Sequence, residues 1–109
     1  MADWRFLSNH GQALVCVARD PSIRLRDIAA KLDVTERTAH RIVDDLVRDG
    51  YLIRQRQGNR NHYEVRPEKP MQDSLLEEHW IGEFLTVLLP DGSMLSRWRQ
   101  NGSGDRPDD

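Results

Sequence analysis

The stretch TERTAHRIVDDLVRDGYL, residues 35–52, constrains the chain more than any other. Thr35 carries a hydroxyl suited to capping a helix, since it can accept from the unpaired N–H groups of the first turn. Ala39, Ile42, Val43, Leu46 and Val47 then fall in one contiguous apolar arc of a helix over Glu36–Asp49. Gly50 follows as the residue that most readily takes the left-handed conformation ending a helix. The opposite arc holds Arg37, His40, Arg41, Asp44 and Arg48. Cations on the first turns oppose the helix dipole, which favours acids there. Their presence calls for a reason other than helix stability.

The flanking segments supply what such a helix packs against. In SNHGQALVCVARDP, Ser8 or Asn9 can cap a first helix, Leu7, His10, Leu14 and Val17 or Ala18 recur at helical spacing, and Pro21 closes it. SIRL reads as a short extended piece, a small strand. RDIAAKLD is a two-turn helix with Ile28, Ala29 and Leu32 on one side, and Val34 lies in the turn before Thr35. After Gly50, YLIRQRQ and NHYEV read as strands joined by the polar turn GNRN at 58–61, a hairpin. RPEKP is a proline-bounded linker. MQDSLLEEHWIGEFLTVLL, residues 71–89, reads as one long helix, with Leu76, Trp80, Phe84, Val87 and Leu88 in a stripe and Leu75, Ile81, Leu85 and Leu89 spreading apolar character further round. The tail, 90–109, is expected to be largely disordered, with MLSRW folding back to pack Leu95 and Trp98.

Length and composition narrow the function. A chain of 109 residues predicts one core-bearing domain. No run approaches the ~18 apolar residues of a membrane span, and the N-terminus is too short and polar for a secretion signal. One cysteine, Cys16, excludes an internal disulfide framework and a multi-cysteine metal site, and a reducing cytoplasm is the expected setting. The formal charge of −2 hides an asymmetry, because residues 1–66 hold 12 Arg/Lys against 9 Asp/Glu while 67–109 hold 4 against 9. A mildly basic body with an acidic C-terminal part is compatible with a local nucleic-acid-binding patch.

Helix, helix, tight turn, helix and hairpin, in that order, resemble the small bacterial winged helix-turn-helix transcription regulators of the MarR-like and ArsR-like group. The resemblance covers residues 6–66 and rests on Ala29, Leu32-Asp33-Val34 in the turn, Thr35 as cap, and LVRDGYL leading into the hairpin. It implies a mainly α fold with a small β-hairpin wing, followed by a C-terminal dimerisation helix. The expected division is a winged helix-turn-helix at 1–66, a linker at 67–70, the helix at 71–89 and the tail at 90–109.

The resemblance also accounts for the misplaced cations. In such proteins the third helix enters the major groove, and its N-terminal residues face base edges. Arg37 and Arg41 can each donate bidentately to guanine O6 and N7, and His40 can donate to a base or a phosphate. Thr35 and Thr38 suit phosphate hydrogen bonds or a thymine methyl contact. Glu36 either accepts from cytosine N4 or simply complements the helix dipole. Arg41 with Asp45 and Asp44 with Arg48 are also spaced as solvated ion pairs. From Arg54 to His62 the wing carries Arg54, Arg56 and Arg60, with Asn59 and Asn61, and no acid. These residues either guard an edge strand or contact backbone and minor groove, with Arg60 at the tip the candidate for insertion. Leu76, Trp80, Phe84 and Leu88 are the candidate seam of a homodimer reading a pseudo-palindromic operator. The alternatives are that this helix only covers the domain's own core, or that the chain is a protein-interaction module docking through it. Related proteins often bind a small effector near the dimer helices, and the resemblance admits one here.

Other chemistry finds no foothold. The four histidines and one cysteine form no ligand set with metal spacing, so no metal or cofactor is expected. Cys16, within ALVCVA, reads as a buried, inert thiol. No glycine-rich phosphate loop, nucleophile–base pair or paired carboxylates suggest an enzyme.

Overall fold

The computed structural model describes residues 4–89. Contacts divide the chain into two units, Met1–Val65 and Arg66–Asp109. The first contains α1 (Asn9–Arg19), α2 (Leu25–Leu32), α3 (Glu36–Arg48), β1 (Leu52–Gln57) and β2 (Arg60–Val65), and the second contains α4 (Ile81–Leu88). Among the described residues, no helix is long and apolar enough to cross a membrane.

Each helix of the first unit begins and ends where its local chemistry dictates. The Ser8 hydroxyl accepts from the Gly11 N–H at 3.1 Å, and that of Thr35 from the Thr38 N–H at 3.1 Å, so α1 and α3 each have an orphan donor satisfied. After α1, the Asp20 carboxylate accepts from the Ser22 N–H at 3.1 Å, turning the chain through Pro21. Helix α2 stops at Asp33, whose φ of 59° is left-handed. There the Val34 N–H donates to Ala29 at 3.0 Å and the Asp33 N–H to Ala30 at 3.3 Å, the paired bonds of a Schellman end. The same motif closes α3, with Tyr51 donating to Leu46 at 2.8 Å, Gly50 to Val47 at 3.1 Å, and Gly50 at φ 88°. A Cβ is strained in that conformation. Gly50→Ala is expected to destabilise the unit by about 1 kcal/mol or more, measurable as a lower urea midpoint with an unchanged slope.

The core of this unit is built from the inward stripes of the three helices and the base of the hairpin. Ala13, Val17, Ile28, Ala39 and Val43 are completely buried, and Leu32, Ile42, Leu52 and Tyr63 nearly so. Strands β1 and β2 pair antiparallel from Leu52↔Val65 to Gln57↔Arg60. The connection is therefore the two residues Gly58-Asn59, tighter than the four-residue turn expected from GNRN. Gly58, at φ 64°, is the first central residue, and Asn59 is not left-handed, a pattern that suits the twist of a two-residue hairpin. Burial falls off along the ladder. Leu52, Tyr63 and Val65 are buried, whereas every residue from Arg54 to Arg60 is exposed, so the distal half projects as a wing. SIRL forms no strand. Pro21 and Ser22 meet the hairpin there, through the Tyr63 N–H donating to the Pro21 carbonyl at 2.8 Å and through Ser22 Oγ and His62 Nδ1 at 3.2 Å.

The second unit corrects the sequence expectation. The helix expected over 71–89 is confined to Ile81–Leu88, and residues 71–80 are turns and bends. The reason is local competition for backbone donors. The Asp73 carboxylate accepts from the Leu75 N–H at 2.9 Å and the Asp73 carbonyl from Leu76 at 2.8 Å, diverting the first turn from a helical ladder. The segment then closes on itself, with Pro70 bridged to Trp80 and the Met71 N–H donating to His79 at 2.9 Å. Helix α4 starts where Glu83 reaches back to accept from the Trp80 N–H at 2.8 Å. Gly82 admits a close approach, its N–H donating to the Pro67 carbonyl at 3.0 Å, where a Cβ would stand 3.0 Å from the Pro67 Cβ. The expectations for the tail, and for Leu95 and Trp98, lie outside the described residues.

Candidate nucleic-acid interface

Helix α3 separates its residues sharply. Ala39, Ile42, Val43 and Leu46 are buried, and Glu36, Arg37, His40 and Arg41 are exposed. The exposed set occupies the first turns, as the spacing predicts. Arg37 and Arg41 have no ion pair or hydrogen bond among the described residues. Thr35 is occupied at the cap, because besides accepting from Thr38 N–H its hydroxyl donates to Thr38 Oγ1 at 3.0 Å.

The acids further along α3 are engaged in a pattern that differs from the expected pairs. Arg41 does not bond Asp45, nor Arg48 Asp44. Asp45 instead meets His10 Nε2 of α1 at 2.9 Å and Arg48 at 3.1 Å. Asp44 meets Arg54 of β1 at 2.8 Å and His40 Nδ1 at 3.1 Å. The two carboxylates that would repel phosphate are thus compensated by cationic or donor groups, and Arg41 is left uncommitted. These links join α3 to α1 on one side and to the wing on the other. Nothing in the sequence announces them, since His10 and Asp45 lie 35 positions apart.

The hydrogen bond from His10, reinforced by Arg48, holds the Asp45 carboxyl below its usual range. A carboxylate whose folded pKa is depressed stabilises the fold above its unfolded value, about 3.9, and loses that contribution as pH falls through the folded one. Asp45→Asn is therefore expected to melt lower than the parent at pH 6–7, with the gap closing as both are acidified below about pH 4. A gap independent of pH would show that the carboxylate charge is not what matters.

The wing residues divide by face. Paired residues share a side of a hairpin, so Arg54 and Arg56, opposite Tyr63 and Asn61, continue the face of Leu52 and Val65. Arg60 shares the other face with Gln57, Gln55 and His62. The Arg54 guanidinium is held by Asp44, which raises its already high pKa, so this arginine ties the wing to α3. Arg56 Nε donates to the Gly58 carbonyl at 3.0 Å, bracing the turn. Arg60 and Asn59 remain exposed at the end.

Arg24 escapes sequence reasoning. It occupies the N-cap position of α2 without making a side-chain cap, and an arginine where Ser, Thr or Asp is favoured was the available signal. With Asn59, Arg60 and Asn61 it lines an open cleft of about 310 Å³, whose apolar lining is Ile23, Leu25 and Tyr63.

The seam residues are not all on one helix. Leu76 lies in the 71–80 turns and Trp80 precedes α4, which leaves Phe84 and Leu88 on α4 itself. Leu75 and Val87 are more than four-fifths exposed, and Leu76 and Leu88 about two-fifths. Cys16 is buried, and burial pushes its thiol pKa up, the opposite of an activated nucleophile.

Three helices with a tight turn before the third, and a projecting basic hairpin after it, define a winged helix-turn-helix protein. Residues 8–60 match the sequence model of the MarR family, so over this segment the winged-helix unit is similar to that family. Solved structures with a similar course include the PcaV transcriptional regulator from Streptomyces coelicolor in complex with its natural ligand, 13% identical, covering 94% of this chain and 77% of that one at a TM-score of 0.48. Another is the zinc-dependent MarR family transcriptional regulator AdcR in its Zn(II)-bound state, 14% identical, covering 94% and 75% at a TM-score of 0.43. No curated protein matches the chain.

Proposed function

We propose that the chain is a cytoplasmic, homodimeric transcription regulator that binds double-stranded DNA sequence-specifically. Helix α3 enters the major groove N-terminus first, and the wing follows the backbone or the minor groove. The observation that carries this reading is the state of the α3 surface. Arg37 and Arg41 are exposed and uncommitted at the leading end, while Asp44 and Asp45 behind them are each engaged by donors. A groove-facing helix needs this arrangement, because free arginines meet guanine acceptors and compensated acids do not repel the flanking phosphates. Arg24 and Arg60 extend the basic surface to the cleft beside the wing, where a phosphate run would be neutralised.

The dimer rests on the exposed apolar side chains of the second unit. Leu75, Leu76, Val87 and Leu88 offer apolar surface that a second copy would cover, and a symmetric dimer reads two half-sites about one helical turn apart. The same surface also favours a second reading, a module that docks another protein. Selection of bound sequences from a random duplex library at about physiological salt separates the two. A two-fold-symmetric motif supports the regulator and the dimer together, a single half-site supports the regulator without the symmetric dimer, and absence of enrichment supports the docking module.

Arg60→Ala is expected to weaken binding evenly across sequences and to lower the slope of log affinity against log salt by about 1, the signature of one lost phosphate contact. An unchanged slope, measured by titration over a salt series, would remove Arg60 from the interface.

A further inference from the structure

We propose that Asp44 is a positioning residue for DNA binding: through its bond to Arg54 it sets the wing against α3, so that Arg60 reaches the phosphate backbone while Arg37 and Arg41 lie in the groove. The inference rests on the DNA-binding reading above. It gives an acid on the groove-facing helix a part in holding DNA that its charge alone would contradict, and it makes Arg54 a strut rather than a phosphate contact.

The joint is a hydrogen-bonded ion pair between two elements. Arg54 Nη1 donates to Asp44 Oδ1 at 2.8 Å, and only 33% and 39% of the two side chains is exposed. In the ladder Arg54 lies opposite Tyr63, which is 2% exposed. It therefore stands where the hairpin leaves the core. Beyond it, Gln55 to Arg60 is exposed throughout. Arg56 turns back to the Gly58 carbonyl within the wing itself. From Arg54 to Arg60, the bond to Asp44 is the one side-chain bond to a helix among the described residues.

That bond decides where the wing points. A two-stranded ribbon is marginal by itself and strongly twisted, so the direction of its outer half is set at its root. Leu52 and Tyr63 hold the root by apolar packing, which is non-directional. The guanidinium fork donates in its own plane, and this adds a direction. The orientation is then fixed when the chain folds, and less freedom is lost when DNA arrives.

Two other accounts of the same contact predict opposite signs. Asp44 follows Arg41 by three positions and Arg37 by seven, on the same face of α3. If its only effect on DNA were Coulombic, removing a carboxylate from that face would strengthen binding. If Arg54 were a phosphate contact held in reserve, releasing it would make log affinity fall more steeply with log salt. A strut predicts the reverse on both counts.

The test titrates the full chain over a salt series with the duplex enriched by selection from the random library. Asp44→Ala should bind about tenfold more weakly, the lower end of what one hydrogen bond to a charged group contributes. Its salt slope should fall by about 1, as for a lost phosphate contact. Its ranking of single-base variants should match the parent's, because Arg37 and Arg41 are untouched. Arg54→Ala should reproduce the weaker binding and the lower slope, and Asp44→Glu, which keeps the carboxylate, should recover most of the loss. Combined with Arg60→Ala, the losses should not add, since the wing-tip contact can be lost only once. An ion pair this close to the surface contributes little to stability, so the thermal melts should stay close to the parent's. Simple destabilisation would change neither the slope nor the additivity. Binding by Asp44→Ala as tight as the parent's or tighter, an unchanged or steeper slope, or losses that add with Arg60→Ala would each overturn the proposal and leave the DNA-binding reading intact. Absence of any enriched duplex with the parent chain would overturn both.

Discussion

Arg41→Ala should lose base discrimination without losing the fold. Arg41 is exposed on α3 and makes no bond among the described residues, and its i+4 neighbour Asp45 is engaged by His10 and Arg48. Removing the side chain breaks no internal contact, so stability should change by no more than about 0.5 kcal/mol. On DNA the guanidinium has five donors in a rigid fork that matches guanine O6 and N7, and one such bidentate contact is worth about 1–3 kcal/mol of discrimination. The expected outcome is that the variant binds the selected operator more weakly while its affinity for a duplex substituted at the contacted guanine barely falls. Competition titrations with a panel of single-base operator variants measure this directly. If the variant binds the panel with the parent's ranking and strength, Arg41 does not read bases.

The neighbouring residue should behave in the opposite way. Ile42 is 1% exposed and lies on the buried stripe of α3. Ile42→Ala removes three carbons from a close-packed site and leaves a cavity, a change that costs about 2–5 kcal/mol. Small domains have only about 5–15 kcal/mol in total, and each kcal/mol lowers the melting temperature by about 4–8 °C in a domain of this size. A large drop in the thermal midpoint is expected, along with loss of DNA binding on warming. At low temperature, where the variant is still folded, base preference should match that of the parent. A midpoint within a degree or two of the parent would mean that the site relaxes around the smaller side chain.

Residues 41 and 42 together show why α3 was legible in the sequence. A helix of this length presents a new face every residue, and the placement of Ile42 inward and Arg41 outward follows from the 3.6-residue period alone. The caps at Ser8 and Thr35, the left-handed Gly50 and the hairpin are equally local, since each depends on one residue's conformational preference or on hydrogen bonds spanning a few positions. The MarR match over residues 8–60 falls within the segment that carried the resemblance.

The C-terminal segment was not legible in the same way. Apolar periodicity over 71–89 suggested a helix, but a pattern of side chains does not decide where backbone donors go. Asp73 captures the Leu75 N–H at 2.9 Å and Pro70 pairs with Trp80, so only Ile81–Leu88 is helical. Leu76 is consequently separated from the helix that was to carry the seam.

Over residues 8–65 the local chemistry of the chain sets where α1 and α3 are capped, which stripe of each helix is buried, and that cations lead α3. How the charges are shared among partners depends on the packing of whole elements. Asp44 could have paired with Arg48 and Asp45 with Arg41 by spacing alone, yet Arg54 comes from β1 and His10 from α1. Helical period and capping act over a few residues and are written in order along the chain. An ion pair depends on which side chains the packed core brings within about 3 Å, and that follows from the positions of whole elements. This assignment of partners leaves Arg41 free and holds Arg54 at the base of the wing.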